Sequence, residues 1–96
     1  MSTDITSASV SRTVTVGSSV GLHARPAGAV VKLATAQPAV VTLSKGDKGP
    51  VDARSLLSLL SLGAEHGDEV TVAAEGEGAQ ESVDAVADLI ATDQDA

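Results

Sequence analysis

Apolar residues along this chain recur with two periods, and the switches between them lay out seven elements. Val10, Val14 and Val16 alternate with Thr13 and Thr15, which predicts a strand over 10–16; Arg12 interrupts its apolar face near the start and is placed at the periphery. Gly17-Ser18-Ser19 reads as a loop. Ala27, Val30, Val31 and Ala34 fall at i, i+3, i+4 and i+7, predicting a helix that runs to about Gln37, with Pro26 in its first turn and Pro38 as its break. Residues 40–44 read as a second strand, 45–49 as a hairpin turn and 51–53 as a short third strand, with Pro50 best tolerated at a sheet edge. Residues 55–62 form a short helix stopped by Gly63, and 65–68 form a loop. A fourth strand covers 69–75 with Val70 and Val72 facing in, and Gly76 and Gly78 frame the turn after it. A last helix, 79–91, offers Val83, Val86, Ala87 and Ile90 to the core and Glu81, Asp84 and Asp88 to water.

The order β-α-β-β-α-β-α predicts an α+β domain: an open-faced, largely antiparallel four-stranded sheet with its three helices on one face. Strand order does not follow from the pattern. Residues 1–9, rich in Ser and Thr, are expected to be a mobile tail, and 92–96 a frayed end.

Composition narrows the picture. The 96 residues make one small domain without cysteine, so neither a disulfide framework nor a thiolate metal site is expected. There is no Phe, Tyr or Trp, so Val, Leu, Ile and Ala must build the core, for a stability on the order of 5 kcal/mol. Six basic against 13 acidic side chains give a net charge of −7, which argues against nucleic acid. With no signal pattern and no apolar run of ~18 residues, a soluble, cytoplasmic protein away from the membrane is expected; a monomer is expected as well. His66 reads as a plain loop residue; no ligand spacing surrounds it, and neither metal nor cofactor is expected. The glycines at 76 and 78 belong to a turn and not to a phosphate loop.

Chemistry concentrates at Gly21-Leu22-His23-Ala24-Arg25-Pro26. A helix start normally carries Ser, Thr, Asp or Asn to take up free N–H groups, and favours acidic side chains. Here it carries a histidine, an alanine and an arginine. Free N–H groups with an added cation and no carboxylate form a ready anion site, and a broken local rule of this kind is expected where a chain functions. A neutral imidazole there is a nucleophile, and once it held a phosphoryl group, Arg25 and the helix N–H groups at Ala24 and Arg25 would balance the new charge. Taken alone, His23 also fits a solvent-exposed loop histidine.

Gly-Leu-His-Ala-Arg-Pro-Ala before an amphipathic helix resembles the active-site signature of the HPr family, the histidine-containing phosphocarriers of the bacterial phosphotransferase system. Ala53-Arg54-Ser55-Leu56-Leu57 and Ser61-Leu62-Gly63 resemble the family's second signature, and Val70 to Gly76 its last strand and turn. The likeness spans about 10–90, with a hairpin turn about one residue longer than usual. It implies an open-faced β-sandwich and a carrier rather than an enzyme. The carrier would take a phosphoryl group on Nδ1 of His23 from enzyme I and pass it to IIA domains of sugar permeases. It also implies that Arg54 and Lys32 lie near His23 and that Leu56, Leu57 and Leu60 form an apolar docking patch. Ser55, by physics the cap of its helix, is in part of the family phosphorylated by a serine kinase, reversed by a phosphatase and read by a transcription regulator. Three rival readings stay open: a regulatory binding module centred on Ser55, a paralogous carrier serving a nitrogen-linked branch, and a plain interaction domain.

Overall fold

The computed structural model describes residues 9–92. Seven elements follow in the order β1 (Ser9–Thr15), α1 (Ala24–Thr35), β2 (Thr42–Lys45), β3 (Lys48–Asp52), α2 (Leu56–Ser61), β4 (Glu69–Glu75) and α3 (Ala79–Ala91). The four strands make one antiparallel sheet in the order β1-β4-β2-β3. All three helices lie over one face: α3 packs on β1 and β4, α1 on α3 and α2, and α2 beside β3. This is the open-faced α+β architecture that the element order predicts.

Register decides which side chains meet. Arg12 and Val14 of β1 stand opposite Val72 and Val70 of β4, and Leu43 of β2 opposite both Val72 and Val51. Val70, Val72 and Leu43 are fully buried under Val30 and Ala34 of α1, Leu59 of α2, and Val83, Val86, Ala87 and Ile90 of α3. The core is wholly aliphatic. The opposite face is polar, with the Thr13 and Thr71 hydroxyls 3.0 Å apart. Arg12 sits on the helix-covered side at the edge strand, where its guanidinium reaches Asp84 and Asp88 of α3 at 3.1 Å each. Those carboxylates, one helical turn apart, thus clamp β1 to α3 instead of facing only water.

Boundaries differ from expectation where tertiary contacts override local pattern. α1 ends at Thr35, with Ala36 as its cap, ahead of Pro38. β2 starts at Thr42, because Thr42 is the first residue in register with β4; Val40 is half exposed. β3 begins earlier, at Lys48, which pairs with Lys45 across a two-residue turn whose Gly46 has φ +59. Pro50 does lie in an edge strand. β1 includes Ser9, and Val16 follows the strand, fully buried. The remainder of both expected tails, 1–8 and 93–96, lies outside the described residues. Among the described residues no helix is long and apolar enough to cross a membrane.

Leu43→Ala should remove about 2–5 kcal/mol of unfolding free energy, a large share for so small a core. Leu57→Ala, at a position 79% exposed, should stay within about 0.5 kcal/mol of wild type. Urea unfolding followed by circular dichroism measures both.

Candidate functional site

His23 is the N-cap of α1, extended at φ −91 and ψ −169, and its side chain makes no capping bond. Its carbonyl accepts the Ala27 N–H at 2.8 Å, the first bond of the helix. The helix begins two residues ahead of Pro26, so Ala24 and Arg25 lie inside the first turn. Pro26 has no N–H to offer. The amides of Ala24 and Arg25 are therefore the donors left without intrahelical partners, and the first turn holds no acidic residue. His23, Ala24 and Arg25 are exposed, while Pro26 and Ala27 are buried and fix the helix start against the core. Among the described residues Arg25 forms no ion pair.

The segment delivering His23 is held mainly by backbone. Val16 exchanges bonds with the loop after α2, donating to Asp68 at 2.8 Å and accepting from Gly67 at 3.1 Å. The Gly17 N–H donates to Ile90 at the end of α3, where any Cβ on Gly17 would run into the Ala91 carbonyl. The Leu22 N–H donates to Ala64 at 2.9 Å. Gly21, at φ +74, lies so close to that segment that a Cβ would stand 2.7 Å from the Ala64 oxygen.

On α2, the Ser55 side chain accepts the Ser58 N–H at 3.3 Å, the capping role its position implies. The leucines divide: Leu59 and Leu62 are buried, while Leu56, Leu57 and Leu60 are 40%, 79% and 37% exposed. Arg54 is not an unattached cation. Its Nε and Nη2 donate to both oxygens of Asp52 at 3.0 and 2.8 Å, and its backbone N–H donates to the same carboxylate at 2.9 Å. These bonds hold the Asp52 carboxyl below the usual carboxylate range. Lys32 lies in the last turn of α1, about 12 Å along the axis from Ala24, so the structure does not bring it to the helix tip. Lys45 reaches the Gly63 carbonyl and Asp68, each at 3.1 Å. Asp68 also accepts the Glu65 N–H at 2.9 Å, and that bond, with Lys45, lowers its carboxyl from the usual value.

Two residues escaped the sequence reading. Val20 is 50% exposed three residues before His23; an apolar residue inside a Ser-Ser-x-Gly loop was the available signal. His66, expected as a plain loop residue, places Nδ1 3.1 Å from the Ser18 carbonyl oxygen, a partnership 48 residues away that no local pattern reveals.

The family model for the PTS HPr component phosphorylation site matches residues 10–92. The chain belongs to the HPr family. It is 46% identical over 80 residues to the phosphocarrier protein HPr of Streptomyces coelicolor, covering 83% of this chain and 86% of that one. It is 42% identical over 82 residues to the HPr of Haloferax volcanii, covering 84% and 92%. The crystal structure of HPr from Bacillus anthracis superposes with a TM-score of 0.81 at 34% identity, over 86% of this chain and 98% of that one. HPr proteins are phosphocarrier components of the phosphotransferase system, and the architecture described above is theirs.

Two outcomes follow from this geometry. Ser55→Ala should cost about 0.5–2 kcal/mol through the lost cap, and Ser55→Asp should retain most of it, both read by urea unfolding. For pH, the native Asp68 carboxyl lies below its usual value near 3.8, so the unfolded chain binds its proton first as acid is added. The stabilisation is complete above that value and disappears as pH falls through the lower native one. The urea midpoints of wild type and Asp68→Asn should therefore converge below about pH 4 and separate above it.

Proposed function

We propose that this chain carries phosphoryl groups on His23, accepting them from the phosphohistidine of enzyme I, itself charged by phosphoenolpyruvate, and passing them to IIA domains of sugar permeases in the cytoplasm. The observation that carries the reading is the exposed imidazole at an uncapped helix start, beside the unpaired donors of Ala24 and Arg25. Transfer is an in-line displacement. The unprotonated ring nitrogen of His23 attacks phosphorus as the bond from phosphorus to the donor's imidazole breaks, and the donor ring leaves with that electron pair. The phosphoryl oxygens then meet the Ala24 and Arg25 N–H groups and the Arg25 guanidinium, which lower the cost of the charge as it arrives. Family resemblance assigns the reacting atom as Nδ1. The reverse arrangement, with His23 as leaving group, serves the onward step, so no cofactor or metal is required.

Docking falls to Leu56, Leu57 and Leu60, with Arg54 just before them in the chain and Val20 exposed three residues before His23. Ser55 is the regulatory position: a phosphate placed there by a serine kinase adds negative charge next to the leucines and repels an acidic or phosphorylated partner, until a phosphatase removes it. A transcription regulator that binds the modified form fits the same surface. In this reading the working unit is a monomer.

Incubation with phosphoenolpyruvate and enzyme I should add one acid-labile phosphoryl group, mapped by mass spectrometry to His23. His23→Ala should take none while keeping its circular dichroism spectrum, and Arg25→Ala should accept phosphate at least about tenfold more slowly. Label persisting in His23→Ala, or an acid-stable phosphate confined to Ser55, overturns the assignment.

A further inference from the structure

The segment between β1 and α1 is tied at its ends by backbone bonds, from Gly17 to Ile90 and from Leu22 to Ala64. Between those ties lies a tight turn, closed by the Gly21 N–H donating to the Ser18 carbonyl at 3.0 Å. The same Ser18 oxygen is 3.1 Å from Nδ1 of His66. A carbonyl oxygen can only accept, so the proton in this bond belongs to the histidine. In the neutral ring this selects the tautomer protonated on Nδ1 and bare on Nε2.

The His66 ring is mounted on a stiff support. The Asp68 N–H donates to the Glu65 carbonyl at 2.9 Å, closing a four-residue turn in which His66 and Gly67, at φ +89, take the corners. The Asp68 carboxylate accepts the Glu65 N–H from within that turn and the Lys45 ammonium from β2. His66 thus joins a braced turn to Ser18, one residue past the Gly17 tie and five residues before His23, and Ser18 itself is buried. Neither motif that marks the family contains this residue.

We propose that His66 is a positioning residue for phosphoryl transfer: its Nδ1–H anchors the Ser18 carbonyl and so fixes the turn that sets His23 at the tip of α1. The proposal rests on the reading that His23 takes the phosphoryl group. In-line transfer is sensitive to small displacements of the attacking atom. Without the anchor, the Ser18 carbonyl loses its bond to the braced turn, and the His23 ring is held less often in the attacking orientation. His66 does not touch the phosphoryl group.

The test compares wild type, His66→Ala and His66→Asn in phosphoryl acceptance from enzyme I charged with phosphoenolpyruvate, with histidine-ring nitrogen NMR on the wild type. Asparagine places its amide NH2 near where Nδ1 stands. His66→Ala should accept phosphate roughly three- to tenfold more slowly, the worth of one neutral hydrogen bond. His66→Asn should recover most of the rate, and the spectrum should show neutral His66 protonated on Nδ1. Backbone amide signals of 18–23 should shift in the alanine variant and return in the asparagine one. An alanine variant at the wild-type rate, an asparagine variant as slow as alanine, or a ring protonated on Nε2 each overturns the role of His66 while leaving the phosphocarrier reading intact. A wild-type chain that takes no label on His23 overturns that reading, and this proposal with it.

Discussion

Two stretches without regular structure, 16–22 and 63–68, hold each other, and the placing of His23 at the start of α1 depends on it. Leu22 and Ala64 are both buried, so the amide of one and the carbonyl of the other must find partners inside the protein, and they find each other. Val16 is joined to Gly67 and Asp68 in the same way. The end of β1, the exit of α2 and the start of α1 are thereby gathered by main-chain bonds. Such a framework needs little of particular side chains beyond their absence: Gly17 against Ala91, and Gly21 against Ala64, are places where any Cβ would push the segments apart. This framework presents His23 outward at the tip of α1, and the helix it caps is left without the carboxylate or hydroxyl that normally closes such an end.

Charge is arranged with the same economy. In a chain of net charge −7, Arg12, Lys45 and Arg54 are each engaged by carboxylates. The first clamps an edge strand to α3 and the second braces the loop after α2. The Asp52–Arg54 pair is about half exposed, and pairs of that kind contribute little to stability. Its larger effect is on the field: it neutralises the cation next to the exposed leucines. Among the described residues Arg25, Lys32 and Lys48 keep their charge outside any ion pair, and of these Arg25 alone lies in the first turn of α1.

How much of this was legible in the sequence depends on the range of the interactions involved. β4 and α3 match their expected limits because an unbroken period runs from Val70 to Val72 and from Val83 to Ile90, with glycine at the turn between them. The β2–β3 hairpin was shifted because pairing with β4 sets where β2 begins, and that partner is about 30 residues away. His23, Arg25 and the uncapped start were readable since all three are local. The loss of Arg54 to Asp52 was not, although only two residues separate them, because the pattern of residue types does not say which way a long side chain turns. The bond from His66 to Ser18 lay further out of reach, being set by two loops that only the folded chain brings together.

The exposed leucines separate what the fold requires from what it does not. α2 is six residues long and can present one stripe to the core, which Leu59 and Leu62 occupy from the helix and its cap. Among the described residues the sheet has helices on one face only, and no further layer covers the outer side of α2. The positions of Leu56, Leu57 and Leu60 are thus exposed by architecture, and the fold accounts for that completely. It does not account for leucine there, since a lysine or glutamate would serve an exposed helical position as well by propensity and better in water. The residue types at these three positions are what the proposed docking surface requires, and the fold itself would accept polar ones there.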